Sequence, residues 1–369
     1  MKDLILSFVN PLKMKRFRFM SVFISILIFI VSVYLIALPN QIYIDNHKTD
    51  FLSQKSYVNA YLELPELALG SDFISSQYVV DENYEMVSKN SDTKPQIYKY
   101  SDIDVKLYNE ESSKTIDINI VFDINDTVTT RLNNIKKEYT ELYPDDSNTK
   151  ANYASYIYFI ASRDLEEGSE TETWKQEQFL KLHETEESEL QTQTSKITNF
   201  DLFGLESDEN DYLLIFLKQS IITHIPLIDK EKEEISYPAL SSYYKVSEMK
   251  FDFTECENLK DFGIHFADVM FEPLSNTEQT NYLIQVLGYV ILFPGIYVLI
   301  LCWSMKKRGV MKTFKEYYNI ASIASVVPAI ITFILAWFIP KVVILYGALF
   351  CVFVLFSFIK INSTPELGD

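Results

Sequence analysis

FMSVFISILIFIVSVYLIAL, residues 19–38, is a run of twenty positions without a single charge. At 1.5 Å per residue a helix of this length crosses the hydrocarbon core of a bilayer, about 30 Å thick. Three more charge-free runs lie near the other end of the chain, at 283–305, 317–339 and 342–359. Between the first run and the other three stands a long block, 39–281, that is charged and rich in tyrosine. The mean hydropathy of +0.01 is therefore an average over two unlike populations.

The flanking charges orient the spans. Lys2, Lys13, Lys15, Arg16 and Arg18 precede the first run, against one Asp3; Lys306, Lys307, Arg308, Lys312 and Lys315 separate the second from the third, against Glu316. Basic loops stay on the cytoplasmic side. Four crossings then place both termini in the cytoplasm of a bacterial cell and 39–281 outside its plasma membrane. The expected plan is a cytoplasmic N-tail (1–18), a span (19–38), an external domain (39–281), a span (282–305), a basic cytoplasmic loop (306–316), two spans (317–339 and 342–359) and a tail (360–369). The first run is longer than the apolar region of a cleaved signal, and its exit Ala37-Leu38-Pro39 lacks a small-x-small pattern, so it reads as a retained anchor. Before it, Leu4, Ile5, Phe8 and Val9 recur at helical spacing, as in a short helix on the inner membrane surface or an extension of the span broken at Pro11.

Charge separates the same regions. Outside 39–281 there are 12 Lys or Arg against 4 Asp or Glu; inside there are 21 against 47. So acidic a domain repels nucleic acid, itself a polyanion, and nucleic-acid binding is not expected. Of three cysteines only Cys256 lies in the block, so the domain has no internal disulfide and depends on its core. Few exported disulfides, with abundant Ile, Lys, Asn, Tyr and Asp, fit a Gram-positive or wall-less bacterium of low GC content.

The block reads as an α+β domain on an antiparallel or mixed sheet. Asp50 to Leu64 has helical character up to Pro65. Ile103, Val105 and Leu107, then Ile116, Ile118, Ile120, Phe122 and Ile124, alternate with polar partners as in a half-buried hairpin. Asp126 or Thr127 is placed to cap a helix carrying Val128, Leu132, Ile135, Tyr139 and Leu142. Further strands are expected at Tyr156 to Ala161, Tyr212 to Leu217 and Lys250 to Phe253. The Glu- and Gln-rich stretch Thr171 to Gln193 is expected to be a loosely packed helix.

No residue pattern calls for catalysis, a metal or a cofactor. Glu166, Glu167, Glu170 and Glu172 form one acidic cluster, and His183 to Glu189 another. His183 and Glu187 stand four apart, a spacing that can hold a metal, but the segment is not H-E-x-x-H, and a solvated helix face accounts for it. Asp145-Asp146 reads as a turn before it reads as a calcium site. No two of His47, His183, His224 and His265 are close in sequence, and nucleophile elbows and phosphate cradles are absent. The spans contain no acid, base or histidine, which disfavours ion-coupled pumps and intramembrane proteases. Two features remain for contact with other proteins. Lys306, Lys307, Arg308 and Lys312 form a basic loop for a cytoplasmic partner. Ala321, Ser325 and Ala329 recur every four residues as a close helix-packing face, either within the chain or against a partner's helix. In the second span Gly288, Pro294 and Gly295 mark a kink.

The stretches SFVNPLKMKRFRFMSVFISILIFIVSVYLIALPNQI, LIQVLGYVILFPGIYVLI and FKEYYNIASIASVVPAIITFILAWFIP, with the strand INIVFDINDT, resemble a family of membrane proteins from low-GC Gram-positive bacteria. That family is a domain of unknown function whose members include maltodextrin-utilisation proteins of the MalA type. The resemblance implies an accessory membrane protein, sometimes associated with sugar uptake, with no catalytic residues to carry over. The external domain here is longer than is usual in that family. The expected function is thus a non-enzymatic accessory or sensor-like protein whose external domain binds a ligand or an envelope partner. The order of spans also resembles FtsX- and MacB-like permeases, and the alternative is a permease-type subunit working with a separate cytoplasmic ATPase. The cytoplasmic pieces are too short to fold into an ATPase themselves.

Overall fold

A computed structural model describes residues 8, 10–90, 94–107, 111–146, 148–163, 171–206, 210–224, 227–229, 234–236, 241–246, 249–306, 309–339 and 341–363. In chain order the helix α1 (Val22–Asn46) leads to α2 (Lys48–Ser53), α3 (Ser56–Leu62), α4 (Ser71–Ser76) and the strands β1 (Val79–Val80), β2 (Met86–Val87), β3 (Gln96–Val105) and β4 (Lys114–Asp123). Five helices follow: α5 (Thr127–Leu142), α6 (Asn148–Arg163), α7 (Glu172–Glu184), α8 (Glu187–Thr194) and α9 (Asn199–Leu202). Next come β5 (Asp211–Leu217), β6 (Ser220–His224), β7 (Leu227–Asp229), β8 (Glu234–Ser236) and β9 (Ser241–Lys245). The chain closes with α10 (Leu259–Leu287), α11 (Phe293–Met305), α12 (Phe314–Ala324), α13 (Val326–Ala336) and α14 (Val343–Ser363). Two compact units result, Met1–Thr49 with Pro273–Asp369, and Asp50–Glu272.

The first unit is a helical bundle turned inside out relative to a soluble protein. Four helical stretches, Val22–Asn46, Leu259–Met305, Phe314–Ala336 and Val343–Ser363, are long and apolar enough to cross a membrane. Phe29, Val33, Tyr317, Tyr346, Phe350 and Phe358 fill the interior. Yet Phe23, Ile284, Leu292, Trp303, Phe338 and Val352 remain exposed. A surface this apolar matches lipid, not water, and the chain is a multi-pass membrane protein.

The helices depart from the expected spans in instructive ways. The first begins at Val22, after a 3₁₀ turn over Lys15–Phe19, and runs through Pro39 to Asn46 instead of ending at 38. One proline removes one backbone donor, which an otherwise intact helix with apolar flanks tolerates. Between α10 and α11 the turn Gly288–Leu292 is π-helical, and Pro294 sits in the first turn of α11. Widening the turn accommodates the donor that Pro294 lacks, at the place where the sequence predicts a kink. Leu4, Ile5 and Val9 lie outside the described residues; Phe8 packs on the bundle core.

The second unit has a five-stranded mixed sheet of order β3-β4-β5-β6-β9, with two separate two-stranded ribbons, β1-β2 and β7-β8. Among the described strands only β4 and β5 pair in parallel, from Asp117↔Asp211 to Asp123↔Leu217. The connection between them is the helical stretch α5–α9, as a parallel pair requires. Both central strands are almost wholly buried, so helices or loops cover both faces. One face carries a ring stack: Tyr78 lies on Phe122 at 3.6 Å and Phe122 on Phe216 at 4.6 Å, with Phe73, Phe253 and Phe262 edge-on around them. The other face presents Val121, Leu213 and Ile215 to Phe200 and Leu205. The predicted hairpin forms, with a bulge between Tyr100 and Ile103, where Asp102 has φ 58° and donates its N–H to Asp117 at 2.8 Å.

Several local expectations are corrected. Tyr156 to Ala161 is not a strand but the middle of α6, burying Tyr158 and Phe159. Asp50 to Leu64 forms two helices, not one, interrupted near Lys55. Lys250 to Phe253 is extended, with a lone bridge Val79↔Asp252, and never becomes a ladder. Thr171 to Gln193 divides into α7 and α8, and it is firmly packed through Phe179, Leu182 and Leu190. Asp126 starts α5 but does not cap it.

Candidate functional site

That missing cap is supplied from inside. Asp123, the last residue of β4, is buried, and its carboxylate accepts the N–H groups of Thr127 (2.7 Å) and Val128 (2.9 Å). Asp126 stands at φ 50° and accepts the N–H of Lys218, just past the end of β5, at 3.0 Å. The two acids therefore fasten the start of α5 to the ends of both parallel strands. In open α/β sheets, the crevice beyond the carboxyl ends of parallel strands is where ligands settle.

A cleft of about 450 Å³ opens beside this junction, against one face of α5. Asn125, Thr127, Thr130, Arg131 and Asn134 line that side, at spacings that place them along one stripe of the helix. Tyr158 of α6 and Lys175 of α7 close the other. The Arg131 guanidinium donates to Ser162 Oγ at 3.0 Å and lies over the Phe159 ring, so its plane is held in place. Lys175 bridges Glu138 (2.9 Å) and Glu172 (2.8 Å), and these hydrogen bonds raise its pKa. The cleft offers amides, hydroxyls, one fixed guanidinium, a carboxylate paired with the Lys175 ammonium, a phenol and the aliphatic Ile135. That set exchanges hydrogen bonds in both directions with a small polar molecule. The size falls within the range of small-molecule sites.

A second polar node lies one turn further along. Tyr139 donates its hydroxyl to Asp146, and His183 Nδ1 meets the same carboxylate at 3.1 Å. His183 stacks on Tyr143 at 4.2 Å, and Lys150 donates to its carbonyl oxygen at 2.8 Å. Burial pushes the Asp146 carboxyl up, but the Tyr139 and His183 hydrogen bonds outweigh it and hold the pKa below the usual range. Asp146 thus spends its oxygens on side chains, and Glu187 starts a different helix from His183. Among the described residues no three His, Cys, Asp or Glu side chains are grouped to hold a metal. His224 is buried in β6 against Phe200, and His265 Nε2 accepts the Asp252 N–H at 3.1 Å. The structure does not bring the four histidines together. Glu166, Glu167 and Glu170 lie outside the described residues.

In the helical unit, Ala321, Ser325 and Ala329 are buried within the chain's own bundle. Beside them Asn319 donates to the carbonyls of Arg18 (3.0 Å) and Met20 (2.7 Å) and accepts from Ser25 Oγ (2.7 Å). Lys306 and Lys312 are exposed, while Lys307 and Arg308 lie outside the described residues. Beside Lys312, Thr313 and Glu316 form a reciprocal capping box, and Asn362 accepts the Met311 N–H at 3.2 Å.

In the sequence Asp123 stands only within the strand INIVFDINDT, and nothing there singles out the cleft. The usable signal was the polar stripe Thr127, Thr130, Arg131, Asn134 and Glu138, about a quarter-turn around α5 from the apolar stripe Val128, Ile135 and Tyr139, with Ile135 at the margin of the cleft. No protein-family model, no curated protein and no solved structure matches the chain, so the resemblance at its two ends rests on those residues alone.

Proposed function

We propose that this chain is a non-enzymatic binding protein of a bacterial plasma membrane. Its four apolar helices anchor the α/β unit outside the cell, with both termini in the cytoplasm. The α/β unit holds a small, uncharged, polyhydroxylated ligand, with maltodextrins the first class to test. The cleft on α5 carries the proposal: it sets amide and hydroxyl groups along a helix opposite a phenol, and its one carboxylate is paired with Lys175. Sugars are recognised by such mixed donors and acceptors held on rigid elements.

Thermal-shift and calorimetric titration of the full-length protein in detergent with maltose to maltohexaose tests this. Stabilisation that is lost in Asn134→Ala is the expected result. Absence of binding by every maltodextrin removes the sugar assignment, and binding unaffected by Asn134→Ala and Arg131→Ala removes the cleft.

The alternative, a permease-type subunit coupled to a separate ATPase, is favoured by one observation. The Thr313–Glu316 box and Asn362 hold Met311 to Glu316, and Lys306 and Lys312 are exposed. Crosslinking in native membranes that recovers a stoichiometric ATPase, lost when Lys306, Lys307 and Arg308 are neutralised, would establish it in place of the binding protein.

A further inference from the structure

Buried polar atoms in a membrane bundle are costly unless something satisfies them, because lipid offers no hydrogen bonds. Two such atoms occur together. Asn40 of α1 and Tyr282 of α10 are each only 3 % exposed, and among the described residues neither Asn40 Nδ2 nor the Tyr282 hydroxyl has a hydrogen-bond partner. Both side chains line the same cavity, about 550 Å³ in volume, between the two helices.

The cavity is graded along its length. Toward the centre of α1 its wall is apolar, formed by Val31 and Leu35 with Leu283 opposite. Toward the other end it is lined by amides and a hydroxyl, including Gln41, Gln279 and Thr280. Among the described residues no charged side chain lines it. The nearby Glu278 is ion-paired with Lys341. Its rim is exposed and apolar at Tyr34 and Leu38, so the opening faces the surface that carries lipid.

We infer that this cavity is a lipid site. Its occupant is a membrane glycolipid, with an acyl chain along Val31, Leu35 and Leu283 and an uncharged hydroxyl-bearing headgroup among Asn40, Gln41, Gln279 and Tyr282. The charge-free lining gives a phosphate or ammonium headgroup no counter-ion, which a buried charge needs. An uncharged headgroup rich in hydroxyls supplies what the two orphaned atoms lack, an acceptor for Asn40 Nδ2 and a partner for the phenol. The inference is independent of the cleft on α5, since the two cavities share no residue.

Native mass spectrometry of the full-length protein, with a glucosyl diacylglycerol, phosphatidylglycerol or phosphatidylcholine added, tests it, alongside thermal shift in the same detergent. The glucosyl lipid is expected to bind and stabilise, and the two phospholipids of equal chain length are not. Tyr282→Phe removes one hydroxyl and leaves the packing intact. It is expected to weaken glucosyl-lipid binding about tenfold, the worth of one good hydrogen bond. The lipid-free protein should be no less stable, because an unsatisfied group has gone. Asn40→Leu is expected to act likewise, whereas Asn134→Ala, in the α5 cleft, leaves lipid binding unchanged. Equal binding of phosphatidylglycerol, or undiminished glucosyl-lipid binding by both variants, overturns the proposal and leaves a water-filled crevice. Glucosyl-lipid binding lost only in Asn134→Ala assigns the lipid sugar to the other cleft and overturns it equally.

Discussion

Replacing Asp123 by alanine tests the junction on which the α/β unit is organised. The side chain is 1 % exposed and caps α5 from three residues further back than a conventional N-cap. Two N–H groups of the first turn, from Thr127 and Val128, end on its carboxylate. A hydrogen bond to a charged group contributes about 1.5–3 kcal/mol, and an anion at a helix N-terminus adds about 0.3–1 kcal/mol. Losing both bonds and stranding two buried donors should cost about 3–6 kcal/mol. Set against a typical domain stability of about 5–15 kcal/mol, that is a large share. Asp123→Asn keeps one acceptor oxygen and turns an amide donor on the second N–H, so it should lose about half as much. Asp126→Ala, which forfeits only the Lys218 N–H, should be milder still. Denaturation of the full-length protein in detergent, followed by Trp174 fluorescence, gives the stability order, because Trp174 packs on Tyr158 in the same helical layer. Hydrogen exchange locates the change, which should appear first in the amides of α5. If Asp123→Ala lies within about 1 kcal/mol of the parent, with α5 protection unaltered, the capping role assigned to Asp123 is wrong.

Other perturbations probe separate parts of the structure. Phe216→Ala opens a hole in the ring stack on Phe122 and should destabilise the α/β unit by about 3–5 kcal/mol, read as a lowered denaturation midpoint. Gly263→Ala drives a methyl group into the Tyr61 carbonyl and Leu64; overpacking of about 1–3 kcal/mol should exceed the helix propensity gained, so the variant melts lower. Burial depresses the His224 pKa from 6.5 to about 4, so its neutral form is favoured by folding. The stability this represents is complete above pH 6.5 and is lost as pH falls toward 4, about 3 kcal/mol in all. His224→Phe should flatten that limb of the stability profile, and an unchanged limb would exclude His224 as its source. Asn319→Ala removes three hydrogen bonds inside the helical bundle and should lower its melting temperature in detergent, with a cost of about 2–4 kcal/mol at membrane hydrogen-bond strengths.

Sequence alone determined the helices that suit a membrane, because twenty apolar residues in a row leave a chain few alternatives to a spanning helix. It also located the hairpin of β3 and β4, where Ile103 and Val105 and then Ile116, Ile118, Ile120 and Phe122 alternate with period two, although it missed the first seven residues of β3. Short apolar runs carry no such mark. Tyr156 to Ala161 suits a strand as well as a helix, and it became part of α6 because its own Tyr158, with Ala151 and Ala154 before it, buries one helical face against α5 and α7. The strands β6 and β9 gave no local signal and exist by pairing with β5 and with each other. Only tertiary structure decided that β4 and β5 run parallel, and hence that Lys218, at the end of β5, meets Asp126 at the start of α5. It also decided that Asn40 and Tyr282, more than two hundred residues apart in the chain, line one cavity. Both outcomes depend on which distant surfaces meet, and the period of hydrophobic residues along a segment does not record its partner.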